Sequence, residues 1–149
     1  MIMLGRPFLA DPEWPNKVYA GRIKEIIPCI GDQEGCLNEF IEGGHPQCAV
    51  NPRTAFEEIY NHLPPAIEKK KVAVVGAGPA GVMCACTASE RGHDVTIFDK
   101  NSSAGGLIIA GSVPKIKFEI SNYLSYMNNR LLMTSKKQKL KIEFGKTVT

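Results

Sequence analysis

The stretch Lys71-Val72-Ala73-Val74-Val75-Gly76-Ala77-Gly78-Pro79-Ala80-Gly81 limits the possible folds more than any other part of the chain, because an apolar β-branched run leads straight into closely spaced glycines. Val72 to Val75 suits a parallel strand covered on both faces. Gly76, Gly78 and Gly81 stand at GxGxxG spacing: the first permits a tight turn, the second lets backbone approach a pyrophosphate, and the third lets a helix pack on the strand. Pro79 suits the first helical turn, where a missing N–H costs nothing, and the helix N-terminus then points at the phosphates. Val82 to Arg91 has helix-forming composition and Gly92 ends it. Val95-Thr96-Ile97-Phe98 reads as a second buried strand ending at Asp99, about 20 residues beyond the motif, where an acid meets a ribose hydroxyl. This pattern predicts a dinucleotide site, FAD or NAD.

The order strand, helix, strand, loop, helix, strand is half of a doubly wound α/β unit. After Gly105-Gly106 and Pro114, Ile116, Ile120, Leu124, Met127 and Leu131 recur at steps of three and four, predicting one apolar helical stripe against the sheet. Leu140, Ile142 and Phe144 alternate with Lys139, Lys141 and Glu143, a period-two strand closed by Gly145. Residues 71–149 are thus expected to hold a small three-layer core. Cys84 and Cys86 fall on different faces of the first helix and read as packing residues.

At 44% hydrophobic and 22% charged the chain is globular in composition. A net charge of +3 argues for neither nucleic acid nor an anionic membrane, and Lys136, Lys137, Lys139 and Lys141 read as a solvated face. The apolar Met1–Leu4 is cut short by Gly5-Arg6-Pro7 and lacks the form of a signal peptide. No stretch is long enough to span a bilayer. Five cysteines without an export signal point to reduced thiols or metal ligands in a cytoplasmic setting.

Met1 to Leu4 reads as the end of a strand, and Asp11-Pro12 as a helix start with Asp11 as its cap. From Cys29 to Cys48 the chain is turn-rich and carries Cys29, Cys36 and Cys48. Thiolates in such a loop suit an iron–sulfur cluster; zinc with His45 as a fourth ligand, or plain burial of the cysteines, are the alternatives. Asn51 to Pro65 reads as a linker with a helical turn at 55–62, in which His62 is a surface or packing residue. Pro64-Pro65 mark a boundary before the glycine-rich strand.

Gly5-Arg6-Pro7-Phe8-Leu9-Ala10-Asp11-Pro12, Pro28-Cys29-Ile30-Gly31, Cys48-Ala49-Val50-Asn51-Pro52 and the glycine motif together resemble the multidomain 2,4-dienoyl-CoA reductase, enoate reductase and trimethylamine dehydrogenase family. Members have a barrel holding FMN, a 4Fe–4S loop, and FAD- and NAD(P)-binding domains, and in the reductases electrons pass from NAD(P)H through FAD and the cluster to FMN. The resemblance implies four parts: residues 1–28 as the last strand and helix of the barrel, 29–52 as the iron–sulfur-type loop, 53–70 as a linker, and 71–149 as the first part of a partial Rossmann-like FAD-binding domain.

Residue by residue, the resemblance assigns Gly5 and Arg6 to the FMN phosphate. Gly76, Gly78, Ala80 and Gly81 go to the FAD pyrophosphate turn, and Asp99 to the ribose where the family usually has Glu. Gly105-Gly106 matches the family's glycine pair, which favours FAD. Leu107 stands where a Gln is common, leaving a backbone contact, and a downstream Lys corresponds to Lys115 or Lys117. The cluster pattern places Cys29, Cys36 and Cys48 as ligands with Asp32 at the second position, a harder donor than a thiolate. The implied function is that of a fragment of an NAD(P)H-dependent flavin and iron–sulfur oxidoreductase acting on enoyl-type substrates, in which FMN belongs to the full-length context. The alternatives are an FAD-binding or electron-transfer module working with a separate barrel subunit, or a truncated remnant without function. No catalytic residue is assigned.

Overall fold

The computed structural model describes residues 3–60 and 62–148, and the chain divides into two compact units between Leu63 and Pro64. In the second unit, β1 (Lys71–Val75), β2 (Asp94–Asp99) and β3 (Leu140–Phe144) form a parallel sheet in the order β1-β2-β3. Val74 stands opposite Ile97, and Ile97 opposite Ile142, so the apolar positions of the three strands share one register.

Helix α5 (Pro79–Glu90) crosses from β1 to β2, and α7 (Phe118–Lys137) from β2 to β3. Each crossover steps the same way across the sheet. Because parallel crossovers are right-handed, both helices lie on one face. They pack on each other and share a core of Val74, Val82, Ala85, Cys86, Val95, Ile97, Met127, Leu131 and Leu140.

This corrects two expectations. The core has two layers, sheet and helix pair, rather than three. β1 is buried on one face only: Val74 is 8% exposed but Val75 is 66% exposed, with Ala73 also open. An apolar run does not distinguish a strand covered on both faces from one covered on a single face at a sheet edge.

The α7 stripe holds at Leu124, Met127 and Leu131, joined by buried Tyr123 and Thr134. Ile116 leaves it: at 86% exposed it sits on the 3-10 turn Lys115–Lys117, ahead of the helix. Cys86 is buried and Cys84 exposed, as their spacing predicts, and Lys136, Lys137, Lys139 and Lys141 are all exposed. A short helix, α6 (Leu107–Gly111), fills the segment read as loop. Among the described residues no helix is long and apolar enough to cross a membrane.

The first unit contains α1 (Arg6–Ala10), α2 (Trp14–Tyr19), a π-type turn at Glu34–Asn38 running into α3 (Glu39–Ile41), and α4 (Glu57–Tyr60), which starts two residues later than the helical turn expected at 55–62, whose residue 61 lies outside the described residues. Met1 and Ile2, half of the expected first strand, lie outside the described residues; Met3 and Leu4 carry no strand. Asp11 does not open a helix on Pro12. It ends α1, and α2 begins with Trp14-Pro15 after Glu13.

The side chain of Asp11 organises this unit. Only 2% exposed, it accepts from the N–H groups of Glu13 (3.1 Å) and Ile27 (2.9 Å) and pairs with Lys17 Nζ at 2.6 Å. Lys17 also donates to the Glu25 carbonyl at 2.9 Å, so one buried ion pair closes residues 11–27 on themselves. Asn51 Nδ2 and Thr54 Oγ1 donate to the Leu9 carbonyl at 3.0 and 2.7 Å, tying the end of α1 to the segment that follows Cys48.

Candidate functional site

The site in the second unit is built where β1 ends. Gly76 takes φ +99°, a left-handed conformation that side-chain-bearing residues avoid, and turns the chain from the strand toward α5. Gly78 is the N-cap of α5 and Pro79 lies in its first turn, as the sequence predicts. At Gly81 the reason for glycine is contact: a Cβ there would lie far inside van der Waals contact with the Gly76 carbonyl oxygen. The strand end and the helix start can approach this closely only without a side chain. Ala80 is exposed on the same first turn.

Asp99, at the end of β2, comes to the same point. Its Oδ2 accepts the Ala77 N–H at 2.7 Å and its Oδ1 the Asn101 N–H at 2.8 Å. Those two hydrogen bonds, that of Ala77 first, hold its carboxyl below the usual range despite burial, so it is ionised at neutral pH. The acid expected at the ribose thus also pins the glycine turn to β2. Gly76 N–H donates to the Phe98 carbonyl (2.8 Å) and Gly105 N–H to the Ala77 carbonyl (2.8 Å), so the Gly105-Gly106 pair lies against the turn. Gly106 approaches so closely that a Cβ on it would stand 3.3 Å from Gly78 Cα.

A hollow of about 500 Å³ opens over these groups and includes Gly76, Gly78, Asp99, Gly106 and Leu107 in its walls. That volume is of the size that holds a nucleotide-scale ligand. The structure therefore gathers most of the residues assigned to FAD from the sequence. Lys115 and Lys117 are exposed on their 3-10 turn and do not line the hollow. The sequence reading missed Lys100, Asn101 and the segment Lys146–Val148, which do. The signal was present in the strand pattern: the Gly145 N–H donates to the Asn101 carbonyl (3.0 Å) and the Lys146 N–H to that of Asp99 (3.0 Å), the parallel pairing of β2 and β3 carried one step further. Of the hollow's two lysines, Lys100 acts on ionised Asp99 through its charge, and the Lys146 ammonium is paired with Glu143 at 2.6 Å.

In the first unit, Gly5 precedes α1 and Arg6 opens it, both exposed; Arg6 lines a second hollow of about 570 Å³ with Gln33, Cys36 and Phe40. The cysteine loop is closed by the Gln47 N–H donating to the Gly35 carbonyl at 2.5 Å, and a Cβ on Gly35 would stand 3.3 Å from the Gln47 backbone. This brings the neighbours of Gly35 and Gln47, Cys36 and Cys48, into one small region. Cys48 is also within electrostatic reach of Cys29 and Asp32. Burial pushes its thiol up, the Val50 and Asn51 N–H groups pull it down, and the charges of Cys29 and Asp32 push it up again. Cys29, Cys36 and Cys48 are half-buried, whereas Asp32 and His45 are exposed.

Among the described residues no three His, Cys, Asp or Glu converge tightly enough to hold a single metal ion. The loop carries three half-buried thiols, Cys29, Cys36 and Cys48, and the exposed carboxylate of Asp32.

Residues 74–129 match the model of the family described as an NAD(P)-binding Rossmann-like domain. The chain is 44% identical to cinnamate reductase of Clostridium sporogenes over 78% of its own length and 17% of that protein's. To NADH oxidase of Thermoanaerobacter brockii it is 37% identical over 87% of its length and 20% of that protein's. Among solved structures it superposes on a 2-naphthoyl-CoA reductase complex with TM-score 0.88 and 35% identity, covering 97% of this chain and 21% of the other. Histamine dehydrogenase from Rhizobium sp. 4-9 follows the same fold with TM-score 0.84 and 26% identity, over 100% of this chain and 22% of the other. The chain spans about a fifth of the length of the curated relatives it matches.

Proposed function

We propose, for a chain that is a homologue of the 2,4-dienoyl-CoA reductase, enoate reductase and trimethylamine dehydrogenase family, that its second unit binds FAD and that it serves the electron-transfer part of an NAD(P)H-dependent oxidoreductase. The relatives named as reductases and oxidases place oxidoreductase chemistry in the family; enoyl-type substrates, the FMN barrel and its contact at Gly5 and Arg6 belong to this proposal. The observation that carries it is the joint built by Gly76, Gly78, Gly81 and Asp99, with Gly106 pressed against Gly78.

In this reading the N–H groups at the start of α5 receive the pyrophosphate, and Gly78 lets it come close because no side chain intervenes. Asp99, held ionised, accepts from the ribose hydroxyls with the lone pairs its backbone donors leave free. Leu107 covers the mouth through backbone and apolar contact. When bound, FAD supplies two-electron and one-electron redox chemistry; the protein supplies position and exclusion of water. In the first unit, Cys29, Cys36 and Cys48 would supply thiolates to an iron–sulfur cluster, with the exposed Asp32 as the one carboxylate among the four donors.

The description of the matching family model favours a second reading, in which the same hollow takes NAD(P)H directly. Anaerobic purification with FAD, iron and sulfide supplied, followed by the visible spectrum and the iron content, tests the proposal. Flavin bands retained after gel filtration support the FAD reading, and broad sulfide-to-iron absorbance supports the cluster. A colourless protein that titrates with NADH or NADPH and not with FAD contradicts the first and supports the second.

A further inference from the structure

We infer that Glu143 sets the ribose end of the hollow against a 2′-phosphate, by holding the Lys146 ammonium in an ion pair that leaves the hollow no cation free to meet the added charge. The inference rests on the dinucleotide reading above, whether the ligand is FAD or NAD(P)H, and adds which nucleotides that site refuses.

Three observations carry it. The first is the acid. Asp99 cannot turn aside, because its Oδ2 accepts the Ala77 N–H at 2.7 Å and its Oδ1 the Asn101 N–H at 2.8 Å. A ribose hydroxyl can donate to a carboxylate held in this way, whereas a phosphate in the same place meets like charge. Dinucleotide sites that accept a 2′-phosphate set a cation beside it.

The second is where the cations go. The walls of the hollow include two, Lys100 and Lys146. Lys100 acts on Asp99 through its charge. Lys146 Nζ lies 2.6 Å from one carboxylate oxygen of Glu143, whose other oxygen takes Lys141 Nζ at 2.7 Å. Each lysine of the hollow is thus matched to a carboxylate. Neither Glu143 nor Lys141 is among the lining residues, so Glu143 acts on the hollow through Lys146.

The third is the backbone that makes this reach possible. β3 sets Glu143 beside Phe98 in the parallel register, and Gly145 at φ +69° turns the chain. The Lys146 N–H then donates to the Asp99 carbonyl at 3.0 Å, which anchors the lysine next to the acid while Glu143 holds its side chain. The Glu143 side chain is 16% exposed and that of Lys146 57%, so the carboxylate is the settled partner and the ammonium has open space to move into. Without Glu143, Lys146 is free to serve the hollow it already lines.

The test is calorimetric titration with ADP-ribose and with 2′-phospho-ADP-ribose. It uses the native chain, Glu143→Gln, and two double variants that add Lys146→Ala or Lys141→Ala to Glu143→Gln, with circular dichroism to confirm each fold. The quantity read is the ratio of the two dissociation constants within each protein. The native chain is expected to favour ADP-ribose by about tenfold and Glu143→Gln to narrow that ratio about fivefold, the order expected when one freed ammonium meets a phosphate dianion near water. Adding Lys146→Ala should restore the native ratio. Adding Lys141→Ala removes the same charge away from the hollow and should leave the ratio narrow. Equal binding of both ligands by the native chain, an unchanged ratio in Glu143→Gln, or one ratio shared by the two double variants overturns the inference while the dinucleotide reading stands. If the native chain binds neither ligand, the dinucleotide reading falls and the inference with it.

Discussion

Replacing Asp99 by Asn tests the joint of the second unit at its most loaded point. In the native chain both carboxylate oxygens accept backbone N–H groups, Ala77 at 2.7 Å and Asn101 at 2.8 Å, and Asp99 is only 8% exposed. The amide keeps one acceptor and turns its NH2 against the other donor. If Ala77, which is 0% exposed, loses its acceptor, a buried N–H is left unpaired. One charge-assisted hydrogen bond lost and one buried donor stranded should cost about 2–3 kcal/mol. The pH dependence has a definite sign. The carboxyl is lowered in the folded state, so its stabilisation is fully present above the unfolded value of about 4 and is lost as pH falls through the folded one. Urea unfolding followed by circular dichroism, near neutral pH and again in acid, should show a native-minus-variant gap that is wide at neutrality and closes below about pH 4. All other titrating groups are common to both proteins and cancel in the difference. A gap under about 0.5 kcal/mol at neutral pH, or one that persists unchanged into acid, would refute the reasoning.

Three other perturbations probe separate parts of the chain. Gly81→Ala gains about 1 kcal/mol of helix propensity but drives a Cβ into the Gly76 carbonyl at an overpacking cost of about 1–3 kcal/mol; denaturant titration should find it destabilised and calorimetry should find dinucleotide binding weakened, and a stabilised variant contradicts the close approach. Asp11→Ala strips the partner from Lys17, whose side chain is 15% exposed, and should destabilise the first unit by about 3 kcal/mol in urea, with a near-neutral result contradicting its role. Glu143 lies between Lys141 at 2.7 Å and Lys146 at 2.6 Å, and hydrogen bonds from Lys141 and then Lys146 bring its carboxyl down to about 2. An NMR titration should see that value climb toward the ordinary carboxylate range at about 1 M salt, and a salt-independent value would contradict surface pairing.

What the sequence made legible was local. The β-branched run, the three glycines, Pro79 and the acid at Asp99 announce themselves because each answers a constraint set within a few residues, and the structure assembles them as expected. Period-two and period-three-to-four patterns likewise located β3 and most of α7. Sheet topology was not local: whether Val75 faces a neighbour depends on which strand lies beside β1 and on which face α5 and α7 fall, and an apolar run is silent on both. The first unit was harder still. Its order depends on Asp11 reaching Ile27 and on Asn51 and Thr54 reaching back to Leu9, buried polar contacts between distant residues that no periodicity encodes. Asp-Pro before an apolar segment is the common local signal for a helix cap, and the sequence presents Asp11 in that form. Its buried ion pair with Lys17 could not be read from that pattern.

The most direct test of the central claim is a calorimetric titration of the native chain with FAD, repeated in the presence of ADP. The account predicts saturable binding of FAD at one site per chain, competed by ADP because the hollow receives the adenosine and pyrophosphate half, with NADH and NADPH binding more weakly. No saturable binding of FAD, or binding that ADP leaves untouched, would contradict it.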